Sequence, residues 1–165
     1  MNITYKKIGH DPRLIQSSTD DEYDSSDDEF YASVTITSDT LAITVTFDLH
    51  PDCCETFDMG FLVKERGSLL TMEDIYDLEI EGESYDIDLA TESIISWNFD
   101  ENPLYETKEH EDPYDQTNLT GLEVHTENYV IHVVCVNDHN GYYPHGGSLK
   151  VVERGDIIHQ ERFHI

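Results

Sequence analysis

Residues 33–49 alternate along the chain. Val34, Ile36, Leu41, Ile43, Val45, Phe47 and Leu49 are apolar, and Thr44, Thr46 and Asp48 stand between members of the series. A period of two sends successive side chains to opposite faces of an extended chain, a pattern that no helix can turn into one buried face. It predicts a β-hairpin with Ser38, Asp39 and Thr40 at the turn. The same bias runs through the whole sequence. Val, Ile and Thr number 38 of 165 residues and Ala only three, so types that suit a pleated, half-buried surface abound and the best helix former is scarce.

Two further hairpins follow from the same logic. One spans 121–137 and turns at Glu127-Asn128, on the expectation that Asn128 takes positive φ. This register buries Leu122, Val124, Ile131 and Val133 and sets Glu123 opposite His132 on the other face. The other spans 149–163 and turns at Arg154-Gly155. Shorter strands are expected over 61–64, 79–89 and 93–99, one short helix over 71–77, and a long exposed loop over 100–118. The fold class predicted is mainly β: a single antiparallel sandwich or open barrel over 31–165, preceded by an arm over 1–30 that carries an acidic tract.

Charge is the second constraint. There are 36 acidic and nine basic residues, a formal net charge of −27. Leu, Ile, Val and Phe supply 42 residues, about a quarter of the chain and above the roughly 20% below which such charged chains stay unfolded. The acidity is uneven: residues 17–115 hold 29 acids against Lys64, Arg66 and Lys108. The densest run contains Asp20, Asp21, Glu22, Asp24, Asp27, Asp28 and Glu29, the candidate partner-binding residues. Its plain reading is a solvated linker; its sharper one is a tract for a basic partner. Ser17, Ser18, Thr19, Ser25 and Ser26 each precede an acid by three positions, a pattern that acid-directed kinases use. Direct nucleic-acid binding is excluded because it needs clustered Lys and Arg, and an anionic membrane surface is excluded for the same reason. No apolar run approaches the ~18 residues of a membrane span, and the first residues hold no signal-peptide core, so the expected location is intracellular.

Two clusters follow predicted strands: His50-Pro51-Asp52-Cys53-Cys54-Glu55, and Asn137-Asp138-His139-Asn140-Gly141-Tyr142-Tyr143-Pro144-His145. Zinc wants about four N or S ligands, and His50, Cys53, Cys54, Cys135, His139 and His145 are candidates. However, no Cys-x-x-Cys pair occurs, and adjacent Cys53 and Cys54 diverge on an extended chain. Reduced thiols, no metal and no cofactor are therefore expected. A Cys54–His139–Asn140 nucleophile set is conceivable but unspecific among nine histidines. Asn140-Gly141 suits a turn, after which Tyr142 and Tyr143 re-enter the fold. His139, Asn140, Tyr142 and Tyr143 form the candidate recognition loop.

In order and placement, Asp52-Cys53-Cys54-Glu55 and His139-Asn140-Gly141-Tyr142-Tyr143 resemble an uncharacterised domain family of phages and large DNA viruses, over roughly residues 45–153. The resemblance implies a viral origin, no known activity and no catalytic residue. The acidic arm and the acidic stretch over 100–118 depart from that pattern. Three function classes follow. The first is a non-enzymatic viral accessory protein, a DNA-mimic-like inhibitor or adaptor, whose partner is a basic host or viral nucleic-acid-binding protein in the host cytoplasm or nucleus. The second is a structural component contacting neighbouring virion proteins. The third is a small thiol- or metal-dependent enzyme built on the two motifs. Halophilic adaptation would spread acids evenly, and they are not spread evenly.

Overall fold

The computed structural model describes residues 1–8, 31–48, 56–68, 71, 74, 89–100, 116–139 and 146–164. Among these residues nine strands occur: β1 (Asn2–Ile8), β2 (Tyr31–Thr37), β3 (Leu41–Asp48), β4 (Thr56–Glu65), β5 (Ser96–Asp100), β6 (Gln116–His125), β7 (Tyr129–His139), β8 (Gly146–Glu153) and β9 (Asp156–His164). They form two antiparallel sheets, ordered β1-β2-β3-β8-β9 and β4-β7-β6-β5. Neither sheet closes on itself, and their facing sides share one core, so the fold is a β sandwich.

The period-two residues make that core. The five-stranded sheet contributes Ala32, Val34, Ile36, Ile43, Val45, Phe47, Leu149, Val151 and Phe163. The four-stranded sheet contributes Met59, Phe61, Leu122, Val124, Ile131, Val133 and Cys135. Phe163 fastens the layers: its ring centroid lies 6.4 Å from that of Phe47 in its own sheet and 5.0 Å from that of Phe99 in the other. Its ring also lies over Gly147, where a Cβ would come within 2.2 Å of it. The far face of the five-stranded sheet is a hydroxyl ladder, with Thr35 and Thr44 hydrogen-bonded at 3.1 Å.

The three hairpins form as the alternation requires. Arg154 (φ 51°) and Gly155 (φ 94°) make the left-handed two-residue turn between β8 and β9. The β6–β7 turn departs from expectation, because Asn128 keeps negative φ. The turn is held by Thr126, whose Oγ1 accepts from the Tyr129 N–H at 2.9 Å, while the Thr126 N–H donates to the Tyr129 carbonyl at 2.9 Å. Glu92 clamps the same turn, accepting from Asn128 Nδ2 at 2.7 Å.

Other boundaries shift. The 61–64 strand extends to Thr56–Glu65, and the 93–99 strand becomes Ser96–Asp100. Gln116, Thr117 and Asn118, expected in the 100–118 loop, pair with β7 instead. Asn2–Ile8, within the segment read as an arm, is the edge strand β1 paired with β2. Of the 71–77 helix only Thr71 and Asp74 are described, and of the 79–89 strand only Leu89.

Candidate functional site

Strand direction sorts the connections into two ends of the sandwich. At one end lie the tight turns after β2, β6 and β8, together with residues 66–68, where the Arg66 N–H donates to the Asn128 carbonyl at 2.7 Å. The long connection from β4 to β5 also leaves and returns at this end, while four other connections are rooted at the opposite end. Ile8 pairs with Tyr31 and Tyr31 with Asp48, so segments 9–30 and 49–55 leave side by side. Thr56 pairs with Asp138 and Phe47 with Gly147, so 49–55 and 140–145 both cross between the sheets from neighbouring strand ends. Gln116 pairs with His139, bringing the exit of 101–115 to the same place. With about 4.8 Å between strands and about 10 Å between sheets, these roots fall within a few nanometres squared.

The sequence loads this end with charge. Segments 9–30, 49–55, 101–115 and 140–145 hold 16 of the 36 acids and two of the nine Lys and Arg residues. Segment 69–88, rooted at the tight-turn end, holds eight acids and no base. The strands and short turns keep 12 acids and seven bases, close to balance. The acidic surplus therefore belongs to the connections and not to the scaffold.

Asp20, Asp21, Glu22, Asp24, Asp27, Asp28 and Glu29 lie outside the described residues, as do Cys53, Cys54, Asn140, Tyr142 and Tyr143. His139 is the last residue of β7. What the strand register does give is their origin: the acidic tract, the Asp-Cys-Cys-Glu segment and the Asn-Gly-Tyr-Tyr segment all spring from one end. Cys135 is buried in the core. Among the described residues no group of three or more His, Cys, Asp or Glu side chains is arranged to hold a metal ion.

A second polar cluster sits on the outer face of the four-stranded sheet. The register lays Leu62, His132 and Glu123 across β4, β7 and β6, with Gly60, Val134 and Gly121 in the next row. His132 is only 4% exposed and Val134 fully buried, so β7 is enclosed on both faces at its centre. Glu123 lies between two imidazoles, 3.5 Å from His132 Nδ1 and 3.3 Å from His125 Nε2. Neither ring nitrogen of His132 makes a hydrogen bond. Burial lowers the His132 pKa, and Glu123 offsets this in part, so the ring is neutral at pH 7. Lys64, on the same face, pairs with Asp74 at 2.6 Å. Asp74 also accepts from the Thr71 N–H and hydroxyl, each at 2.7 Å. Burial pulls the Asp74 carboxyl upward, but the hydrogen bonds from Lys64 and Thr71 and the Lys64 charge prevail and hold its pKa at about 2. The Glu123–His132 pairing follows from the hairpin register. The Lys64–Asp74 tie does not, although Thr71-x-x-Asp74 is a capping-box spacing visible in the sequence.

No protein-family model matches the chain, and neither a curated protein nor a solved structure shows significant similarity to it.

Proposed function

We propose that this protein is a non-enzymatic accessory protein, of the viral kind its motifs resemble, that binds a basic protein surface through the acidic connections at one end of the sandwich. The observation that carries this reading is the segregation of charge: 16 acids against two Lys and Arg residues in four segments rooted together, on strands whose own charge is near balance. Like charges crowded this way repel one another. A partner dense in Lys and Arg relieves that repulsion and is steered in by the same field. A nucleic-acid-binding protein has such a surface, and rows of carboxylates substitute for phosphates on it. Segment 140–145, which has no acid, would add His145, Tyr142 and Tyr143 as contacts that select among basic partners.

The test is affinity capture from infected cells with the full chain, followed by mass spectrometry, at 0.1 M and 1 M salt. The Debye length falls from about 10 Å to about 3 Å over that range. Basic nucleic-acid-binding proteins should be captured at low salt and released at high salt. A variant with Asp20, Asp21, Glu22, Asp24, Asp27, Asp28 and Glu29 changed to Asn or Gln should capture them weakly. Capture that is indifferent to both changes would overturn the reading and favour a packed, virion-like role.

A further inference from the structure

We infer that the side of the sandwich bounded by β9 is a self-association edge, on which a second copy of this chain lays its own β9 antiparallel to form a sheet continuous across two molecules. This goes beyond the acidic-end reading and does not depend on it.

Three observations carry the inference. First, β9 is the outermost strand of its sheet, paired with β8 on one side and with no described residue on the other. An edge strand presents a row of unpaired N–H and C=O groups, a template for another strand. Second, the large exposed hydrophobic residues among the described ones are Ile95, Ile157 and Ile158, exposed by 59%, 55% and 52%. All three belong to this side: Ile157 and Ile158 are on β9, and Ile95 immediately precedes β5, the neighbouring edge of the other sheet. Ring contact between Trp97 and His159, with centroids 5.3 Å apart, ties the two edges together. The β-bulge opposite Val151 and Val152 explains why two successive isoleucines are both exposed where alternation would bury one.

Third, the edge is self-complementary in charge. β9 and the turn residue before it carry Asp156 and Glu161 against Arg154 and Arg162, an even balance in a chain of net charge −27. In an isologous pair the same patch meets itself, so its own pattern decides the register. A two-fold axis at Gln160 sets His159 against Glu161 of the second copy and Asp156 against its His164. Axes at Glu161 or Arg162 set like charges against each other. Antiparallel pairing turns the second copy end for end, so the end that roots 9–30 and 49–55 lies beside the other copy's tight-turn end, from which the acidic segment 69–88 leaves, and the repulsion between them is what added salt should screen.

Light scattering coupled to size exclusion on the full chain, at roughly 100 μM and in 0.1 M and 1 M salt, tests the pairing. The expected mass is about twice the monomer's 19.0 kDa, with the dimer fraction rising in 1 M salt as residual repulsion is screened. Ile158→Lys should halve the mass by placing a charge on the exposed apolar edge. Gln160→Lys should do the same by setting two lysines opposite each other at the axis. Both sites are exposed, and unchanged circular dichroism would confirm that each variant folds. Neutralising the acidic tract should leave the dimer intact, which separates this inference from the partner-binding reading. A wild-type mass of 19.0 kDa at both salt concentrations would overturn it, and so would a dimer that survives either lysine variant.

Discussion

Gly147→Ala sets two effects of opposite sign against each other. Gly147 pairs with Phe47 on one side and Phe163 on the other, in an extended conformation that alanine also adopts. If backbone entropy alone mattered, the change would stabilise the fold by about 0.4–1 kcal/mol through the unfolded chain. Packing points the other way. A Cβ at this position would lie 2.2, 2.3 and 2.9 Å from three ring carbons of Phe163. Carbon atoms prefer about 3.5–4.0 Å, so the ring must retreat by well over 1 Å. It is 1% exposed and held by Phe47 and Phe99. Overpacking a closed core typically costs about 1–3 kcal/mol, and evicting a buried Phe about 3–5. We therefore expect Gly147→Ala to cost about 2–4 kcal/mol. Urea unfolding followed by tryptophan fluorescence measures it, since Trp97 packs against the same core. Phe163→Leu should be destabilising alone. In the double variant the two losses should fall short of their sum by at least about 1 kcal/mol, because the smaller side chain makes room for the methyl group. A neutral or stabilising Gly147→Ala, or strict additivity, would refute the claim that the glycine is there for the ring.

Three further outcomes are expected. Burial depresses the His132 pKa, so the folded state resists a proton that the unfolded state takes up near the usual value of about 6.5. Stability should be full above that value and decline as pH falls below it, and the decline measured between pH 7 and 5 should be shallower in His132→Leu. Asp74, held at about 2 against an ordinary 3.8, contributes stability that is present above 3.8 and lost as pH falls toward 2. Allowing for screening of a tie that is still partly solvated, Asp74→Asn should cost about 1 kcal/mol in urea unfolding at pH 7 and almost nothing at pH 2. Arg154 occupies left-handed space, which Asn tolerates better. Arg154→Asn should therefore raise the thermal midpoint by about 1–2 °C, equivalent to about 0.5 kcal/mol.

The hairpins were legible because alternation and turn chemistry agree there. Val34 to Phe47 reads as one buried row, Arg154-Gly155 as a turn, and Leu122 opposite Val133 follows once the β6–β7 turn is placed. The choice of sandwich over barrel was not legible, since it depends on which distant strands become neighbours. Nothing local announces that Leu41 pairs with Glu153. β1 escaped notice because Asn2–Ile8 has few apolar residues and gains its partner only across the acidic tract. The two-sided burial of β7 had a visible sign, the unbroken run Val130-Ile131-His132-Val133-Val134-Cys135-Val136, which alternates too little for a half-solvated strand. The shared origin of the candidate segments is a consequence of topology. Residues 49–55 and 140–145 are far apart in sequence, and only the pairing of Phe47 with Gly147 brings the strand ends that root them together.

That pairing also governs how the chain must be made. β3 forms a hairpin with β2 as soon as both exist, but its other edge waits for β8, about a hundred residues later. At translation rates of roughly 5–20 residues per second, the wait lasts on the order of 5–20 s. Throughout it Ile43, Val45 and Phe47 line a half-built layer with an open edge, the kind of surface that recruits identical nascent chains on a crowded polysome. Most of the acidic residues are synthesised on either side of that hairpin before β8 emerges, in segments 9–30, 49–55, 69–88 and 101–115. Each growing chain thus carries its own electrostatic shield against its siblings during the interval when its first sheet cannot close.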